Sequence, residues 1–168
     1  IDKADFGKGL NSGSVSVFMP STLFSGASLS GNMTWTAYVD GEKYSEGTAE
    51  AGSRVVVDFK DLTDGAHKFT FDVVQGDKKS TTATTSLFIG YDNPTKPENV
   101  SLTEEQVTWD PVIRGEHGGY MDMDKLIYHV FINGNEIGTT QETYFTHNLN
   151  KDVNYCGFVA TVVAENSG

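Results

Sequence analysis

Hydrophobic and polar residues alternate with a period of two along much of this chain. Between Met33 and Val39, every second residue is apolar, and two of the three residues between them are threonines. This alternation is typical of a strand with one buried face. Asp40 and Gly41 follow directly, and both residue types accept the positive φ angles of a two-residue hairpin. The pattern therefore predicts a strand that turns back at this dipeptide.

Other segments of the first half also have strand character. They are Val15–Met19, Arg54–Phe59, His67–Val74 and Thr81–Ile89. Residues 1–13 contain only isolated apolar residues and predict at most a poorly formed first strand. Because no segment has a helical period, the sequence predicts an all-β fold.

The second half of the chain repeats this order. Every second residue from Leu126 to Ile132 is apolar or aromatic, and Asn133-Gly134 ends the run as Asp40-Gly41 ends the earlier one. A duplicated pattern of this kind indicates two modules with separate cores. Each module has one tryptophan, and we expect Trp35 and Trp109 to centre the two cores.

The boundary between the modules is predicted at the segment Asp92–Pro97. Its two prolines exclude a helix and cannot donate hydrogen bonds in a central sheet ladder. The predicted organisation is therefore a β-sandwich over residues 1–92, a proline linker over 93–97 and a second β-sandwich over 98–168.

Five residues of the second module follow a known spacing. Pro97 precedes the first strand, Trp109 lies in a Val-Thr-Trp-Asp run, Tyr128 lies in the third strand, and Leu149 stands six residues before Tyr155. This pattern resembles the fibronectin type III family of immunoglobulin-like β-sandwiches, and its last pair resembles the tyrosine corner. The first module resembles the family less closely, since no tyrosine occupies its corner. The tandem also resembles modules of large bacterial cell-surface proteins of the Bacteroides type.

The resemblance also bears on the end of the second module. The family's final strand, strand G, would begin near Gly168, so the second sandwich is expected to be truncated before that strand. Such a truncation leaves the edge of the neighbouring strand open. Either the protein continues beyond this segment, or another chain fills that edge.

The net charge and composition of the chain disfavour several classes of binding partner. Acidic residues outnumber basic ones by 23 to 12, and the net charge is −11. No basic stripe can therefore displace counterions from nucleic acid, and anionic membrane surfaces are disfavoured. No apolar run has the length of a membrane span, so direct insertion is not expected. The single cysteine, Cys156, excludes an internal disulfide and is expected to be an inert, buried thiol.

One loop has residue types that could bind a metal ion. Asp122 and Asp124 are two residues apart, as in calcium loops, and Glu116 and His117 could join them. The next two residues are lysine and leucine, where a calcium loop needs a further oxygen ligand and then glycine. We therefore predict no metal site and interpret the loop as a solvated connection, with Asp122 and Asp124 as the only metal candidates.

The sequence also lacks a recognisable catalytic constellation. It has no Gly-x-Ser-x-Gly elbow, no histidine pair with the spacing of a metal site, and no phosphate-binding loop that precedes a helix. We therefore expect neither enzymatic activity nor a bound cofactor.

These patterns predict a non-catalytic spacer, scaffold or adhesion module of a larger surface or secreted protein, in an extracytoplasmic location. The expected partners are other domains of the same parent chain and a protein or glycan ligand. The alternative is a carbohydrate-binding module attached to a secreted glycoside hydrolase, in which sugar rings stack on exposed aromatic side chains. The candidate side chains for that platform are Tyr38, Tyr44, Tyr120 and Tyr144.

Overall fold

The computed structural model describes residues 1–149 and 157–166. Antiparallel strands and one short 3-10 turn are the regular elements of these residues, which confirms the predicted all-β fold. The chain divides into two compact units, Ile1–Gly90 and Tyr91–Gly168. Tyr155 and Cys156, and with them the predicted tyrosine corner, lie outside the described residues.

The first unit consists of two antiparallel sheets that enclose one core. Its strands are β1 (Lys3–Phe6), β2 (Gly13–Phe18), β3 (Asn32–Val39), β4 (Glu42–Glu50), β5 (Arg54–Phe59), β6 (Gly65–Gln75), β7 (Lys78–Thr81) and β8 (Thr85–Ile89). One sheet has the order β1-β2-β5, and the other has the order β4-β3-β6-β7, in which β8 also pairs with β6. The segment predicted as a poorly formed strand therefore contains a paired strand, β1.

The predicted hairpin turns are confirmed in both units. Asp40 and Gly41 join β3 to β4 with φ angles of 53° and 85°. Asn133 and Gly134 form the equivalent turn of the second unit with φ angles of 51° and 80°. Aspartate, asparagine and glycine accept these angles at little steric cost, so the local sequence determines both turns.

Phenylalanines, rather than the tryptophan, form the centre of the first core. Phe59 and Phe69 contact edge to face with ring centroids 5.0 Å apart, and Phe71 is also fully buried. Trp35, predicted at the centre, is only partly buried. Its indole lies over Gly47 of β4, where a Cβ atom would come within 2.6 Å of the ring. Trp35 therefore covers the margin of this core.

His67 on β6 is buried, and both of its ring nitrogens contact acceptors. Nδ1 lies 2.7 Å from the Asp40 carboxylate, and Nε2 lies 2.8 Å from the Thr63 carbonyl oxygen. Because an ionised carboxylate and a carbonyl can only accept, the ring can donate from both nitrogens only as an imidazolium, so this geometry favours the protonated form. Burial acts to lower the pKa of His67, but the bonds to Thr63 and Asp40 outweigh it and raise the pKa above 6.5.

This arrangement predicts that alkaline pH destabilises the first unit. His67 is the only histidine among residues 1–90. Because its folded-state pKa is raised, its stabilising effect is complete below pH 6.5 and is lost as the pH rises through the folded value. We expect the free energy of unfolding to fall by about 1 to 3 kcal/mol between about pH 6 and pH 9. Urea unfolding followed by Trp35 fluorescence in a Trp109→Phe background measures this change.

The matched control for that prediction is His67→Gln, which has no imidazole to titrate. Its free energy of unfolding should be lower at pH 6 and nearly constant up to pH 9. An equally steep decline in this variant would contradict the assignment of the pH dependence to His67.

The second unit also has two sheets around a core. Its elements are β9 (Ser101–Leu102), β10 (Gln106–Thr108), a 3-10 turn (Met123–Lys125), β11 (Leu126–Ile132), β12 (Asn135–Thr140), β13 (Tyr144–Thr146) and β14 (Ala160–Asn166). The sheet orders are β13-β10-β9 and β12-β11-β14. The order of these strands along the chain follows that of β1 to β6 in the first unit.

Trp109 and Tyr128 lie at the centre of the second core. Both are buried, and their ring centroids are 5.2 Å apart. The Tyr128 hydroxyl accepts a hydrogen bond of 2.9 Å from the backbone N–H of Val112, so its polar atom is satisfied inside the core. Leu149 is partly buried and packs against this core.

The segment predicted as a linker is hydrogen-bonded within the second unit. The N–H of Thr95 donates to the carbonyl of Arg114, and the carbonyl of Asn93 accepts from Glu116. Pro97 is buried. Residues 93–97 therefore form an ordered edge of this unit, although their prolines suggested an exposed connection.

Candidate functional site

Asp122 and Asp124, the two candidate metal ligands, are hydrogen-bonded to each other at the start of the 3-10 turn. Asp122 is the N-cap of the 3-10 turn, and its side chain accepts a hydrogen bond of 3.2 Å from the N–H of Asp124. Its other oxygen lies 3.7 Å from the ammonium of Lys125. Across residues 1–149 and 157–166, no group of three or more histidine, cysteine or acidic side chains is placed to hold a metal ion.

His117 contacts Asp92. The Asp92 carboxylate accepts three hydrogen bonds, from the N–H groups of His117 and Gly119 at 2.7 and 2.9 Å and from His117 Nδ1 at 2.9 Å. The Asp92 side chain is fully buried. A Cβ atom at position 115 would overlap this carboxylate, so the close approach requires Gly115.

The Asp92 carboxylate and the three groups of His117 and Gly119 that donate to it form what we call the Asp92 clamp. The carboxylate is ionised and fixes the loop over residues 115–120. Burial acts to raise the pKa of Asp92, but hydrogen bonds from the His117 ring and from two backbone N–H groups lower it below 3.8. The bond to Asp92 in turn raises the pKa of His117 above 6.5. Because the carboxylate is inaccessible to solvent, it holds the loop in place and cannot contact a ligand.

The β2–β3 loop of the first unit has an ordered structure of its own. Thr22 and Ser28 pair as an antiparallel bridge, and the N–H of Gly26 donates to the carbonyl of Leu23 at 2.9 Å. Gly26 has a φ of 86°, a value that favours glycine. These bonds build a small hairpin at whose tip Phe24 is fully exposed to solvent.

The end of β6 is hydrogen-bonded to the loop that contains this hairpin. Gln75, the last residue of β6, donates from Nε2 to the carbonyl oxygens of Ser30 and Asn32 at 2.8 and 3.2 Å. The first bond joins the end of β6 to the β2–β3 loop, and the second joins it to the first residue of β3. We call residues 22–30 and 75–80 the loop end of the first unit.

A cavity of about 210 Å³ opens at the loop end. Its apolar lining comes from Leu23, Phe24, Leu29, Met33 and Val73. Gln75, Lys78 and Lys79 contribute polar groups, and Lys79 forms an ion pair of 2.9 Å with Asp72. Single exposed apolar residues are ordinary at protein surfaces, but Phe24 is both fully exposed and part of the lining of this cavity.

The four tyrosines proposed as a glycan platform are divided between the two units. Tyr38 and Tyr44 lie in the first, and Tyr120 and Tyr144 lie in the second. The Tyr44 ring packs on Phe59 with centroids 4.5 Å apart, and its hydroxyl accepts a backbone N–H. Tyr120 packs on another tyrosine of its own unit. Neither unit contains a row of these four rings.

No family model matches this chain, and no curated protein matches it. Within residues 1–149 and 157–166, no helix combines the length and apolar character needed to cross a membrane.

Sequence reasoning identified neither Phe24 nor Asp92 as a site residue. The signal for Phe24 was the Leu23-Phe24 pair inside a loop otherwise rich in serine and glycine. Asp92 had no comparable signal, because its role depends on a loop 25 residues away.

Proposed function

We propose that this chain is a non-catalytic adhesion and spacer module of a larger extracytoplasmic protein, and that the loop end of the first unit binds a protein partner. The observation that carries the proposal is the fully exposed Phe24, held by a hydrogen-bonded hairpin beside an apolar cavity. Ordered aromatic residues of this kind lose little conformational entropy on binding and act as anchors in protein interfaces.

The size of the cavity supports a protein ligand. A cavity of about 210 Å³ is smaller than the roughly 300 to 1,000 Å³ of ordinary small-molecule sites. It suits one apolar side chain of a partner, with Phe24 packed against its flank. The two loops are already joined through Gln75, so the surface is preorganised and binding costs little loop ordering.

The spacer role is supported by the division of the chain into two compact units, each with its own core. Modules of this kind set the reach of the domains that they connect. The glycan alternative has no row of the four candidate tyrosines to support it, although Phe24 could also stack on a sugar ring. The test therefore includes both classes of ligand.

Selection of a random peptide phage library on the immobilised chain tests this proposal. We expect selected peptides to share one large apolar residue and to bind Phe24→Ser about 30-fold more weakly, as for an interface anchor worth about 2 kcal/mol. The matched control is Phe18→Ser, because Phe18 is another exposed phenylalanine of the same unit that does not line the cavity. This control should bind like the unmodified chain.

Equal peptide binding by Phe24→Ser and the unmodified chain would contradict the proposal. A glycan array gives the second readout. Binding of an oligosaccharide that is lost in Phe24→Ser would assign the same surface to carbohydrate and would support the alternative function.

A further inference from the structure

Two stretches of the second unit, residues 94–99 and 110–115, run antiparallel beside each other. A β-bridge between residues 94 and 115 joins one end of the pair. At the other end, the N–H of Asp110 donates to the carbonyl of Glu98 at 3.0 Å. Each stretch contains a proline between these points, and proline has no N–H to donate. The two stretches are therefore held together at their ends.

Both stretches line one pocket, whose volume is about 260 Å³. Ile113 belongs to this lining, and its side chain is 76% exposed. Lys96 and Arg114 belong to the lining as well, one from each stretch. The pocket thus combines an exposed aliphatic side chain with two cations.

The cations of this pocket are not neutralised by the protein. In the part of the second unit that the structure describes, lysine and arginine occur only at Lys96, Arg114 and Lys125. Lys125 lies 3.7 Å from the Asp122 carboxylate. Lys96 and Arg114 form no ion pair or side-chain hydrogen bond within residues 1–149 and 157–166. Both can therefore bind an anion without giving up an existing contact.

The surroundings of the two cations favour a single carboxylate as that anion. The guanidinium of arginine matches a carboxylate with two parallel hydrogen bonds. Glu98 and Asp110 also line the pocket, and the Asp110 carboxylate accepts a hydrogen bond of 2.6 Å from the Asn99 side chain. These two carboxylates repel a doubly charged phosphate more strongly than a singly charged group.

We infer that this pocket binds a segment of a separate protein in which one aspartate or glutamate adjoins a large apolar side chain. The carboxylate pairs with Arg114 and Lys96, and the apolar side chain covers Ile113. The volume of about 260 Å³ lies below the roughly 300 to 1,000 Å³ of ordinary small-molecule sites, which favours a short polypeptide contact. The inference concerns the second unit and does not rest on the loop end.

A capped pentapeptide with the sequence Gly-Leu-Asp-Leu-Gly tests the inference, because its one carboxylate lies between two apolar side chains. Its titration into the ¹⁵N-labelled chain should give saturable chemical-shift changes at the amides of residues 95–98 and 112–114. The same peptide with asparagine in place of aspartate should bind about tenfold more weakly, since it cannot form charge-assisted hydrogen bonds.

Variants of the chain give a second readout. We expect Arg114→Gln to bind the aspartate peptide about tenfold more weakly and Ile113→Ser about fivefold more weakly. The matched control is Lys125→Gln, which removes the same charge from the same unit at a position outside the pocket. It should bind like the unmodified chain. All three positions are exposed, so these substitutions should leave the core intact.

Five results would overturn the inference. The first three are an absence of saturable shifts, equal binding of the asparagine peptide, and equal loss of binding in Lys125→Gln and Arg114→Gln. The fourth is binding of 4-methylpentanoate as tightly as the peptide, which would assign the pocket to a small carboxylic acid. The fifth is a concentration-dependent shift of the same amides in the free chain, which would assign it to a second copy.

Discussion

Replacing Trp109 with alanine is expected to lower the free energy of unfolding of the second unit by about 3 to 5 kcal/mol. The indole is buried at the centre of this core and packs on Tyr128. Small domains have a total stability of about 5 to 15 kcal/mol, so this substitution should remove a large share of the stability of the second unit. Urea unfolding followed by far-UV circular dichroism measures the loss, and Trp35 fluorescence reports whether the first unit keeps its stability.

The matched control is Trp35→Ala. Trp35 is the other tryptophan of the chain but is only partly buried at the margin of the first core. We expect this substitution to cost about 1 to 2 kcal/mol, in proportion to the smaller apolar area that it exposes. Equal losses in the two variants would contradict the different positions of the two indoles.

The substitution Asp92→Ala is expected to lower the free energy of unfolding of the second unit by about 2 to 4 kcal/mol. It removes a fully buried carboxylate together with the three charge-assisted hydrogen bonds that this carboxylate accepts. The loop over residues 115–120 should then detach from the segment that begins at Asp92. Urea unfolding in a Trp35→Phe background measures the change, because Trp109 is then the only tryptophan and reports the second unit alone.

Two controls separate the clamp from a general effect of removing a carboxylate. Asp122→Ala removes only the cap of a short turn and should cost about 1 kcal/mol, and Asp124→Ala should cost less.

The pH dependence of the free energy of unfolding is a further check. Because the folded-state pKa of Asp92 is lowered, its effect is present above pH 3.8 and is lost as the pH falls through the folded value. If the free energy of unfolding of Asp92→Ala falls in acid as steeply as that of the unmodified chain, the role assigned to the Asp92 clamp is wrong.

The parts of this fold that the sequence predicted are those determined by neighbouring residues. Alternation between Met33 and Val39 determines which face of β3 is buried, and Asp40-Gly41 determines where the strand turns. The same holds for β11 and Asn133-Gly134. Both signals depend on side chains within a few positions in the chain, so they can be interpreted without coordinates.

The features that the sequence did not predict depend on distant residues. Trp35 lies at the margin of its core because it faces Gly47 on the next strand. The segment 93–97 is ordered because its backbone meets residues 114–116 and because Asp92 binds the loop at His117 and Gly119. Phe24 is exposed because the hairpin bonds of its loop direct it away from the core. Apart from the Leu23-Phe24 pair in a loop rich in serine and glycine, these features have no local sequence signal.

The most direct test of the binding surface is chemical-shift mapping of the ¹⁵N-labelled chain with one peptide from the library selection. We expect the shifted amides to cluster at the loop end, in residues 22–30 and 75–80, and these shifts to disappear in Phe24→Ser. Shifts that cluster elsewhere in the first unit, or that persist in Phe24→Ser, would contradict the proposal that this module binds its partner through the loop end.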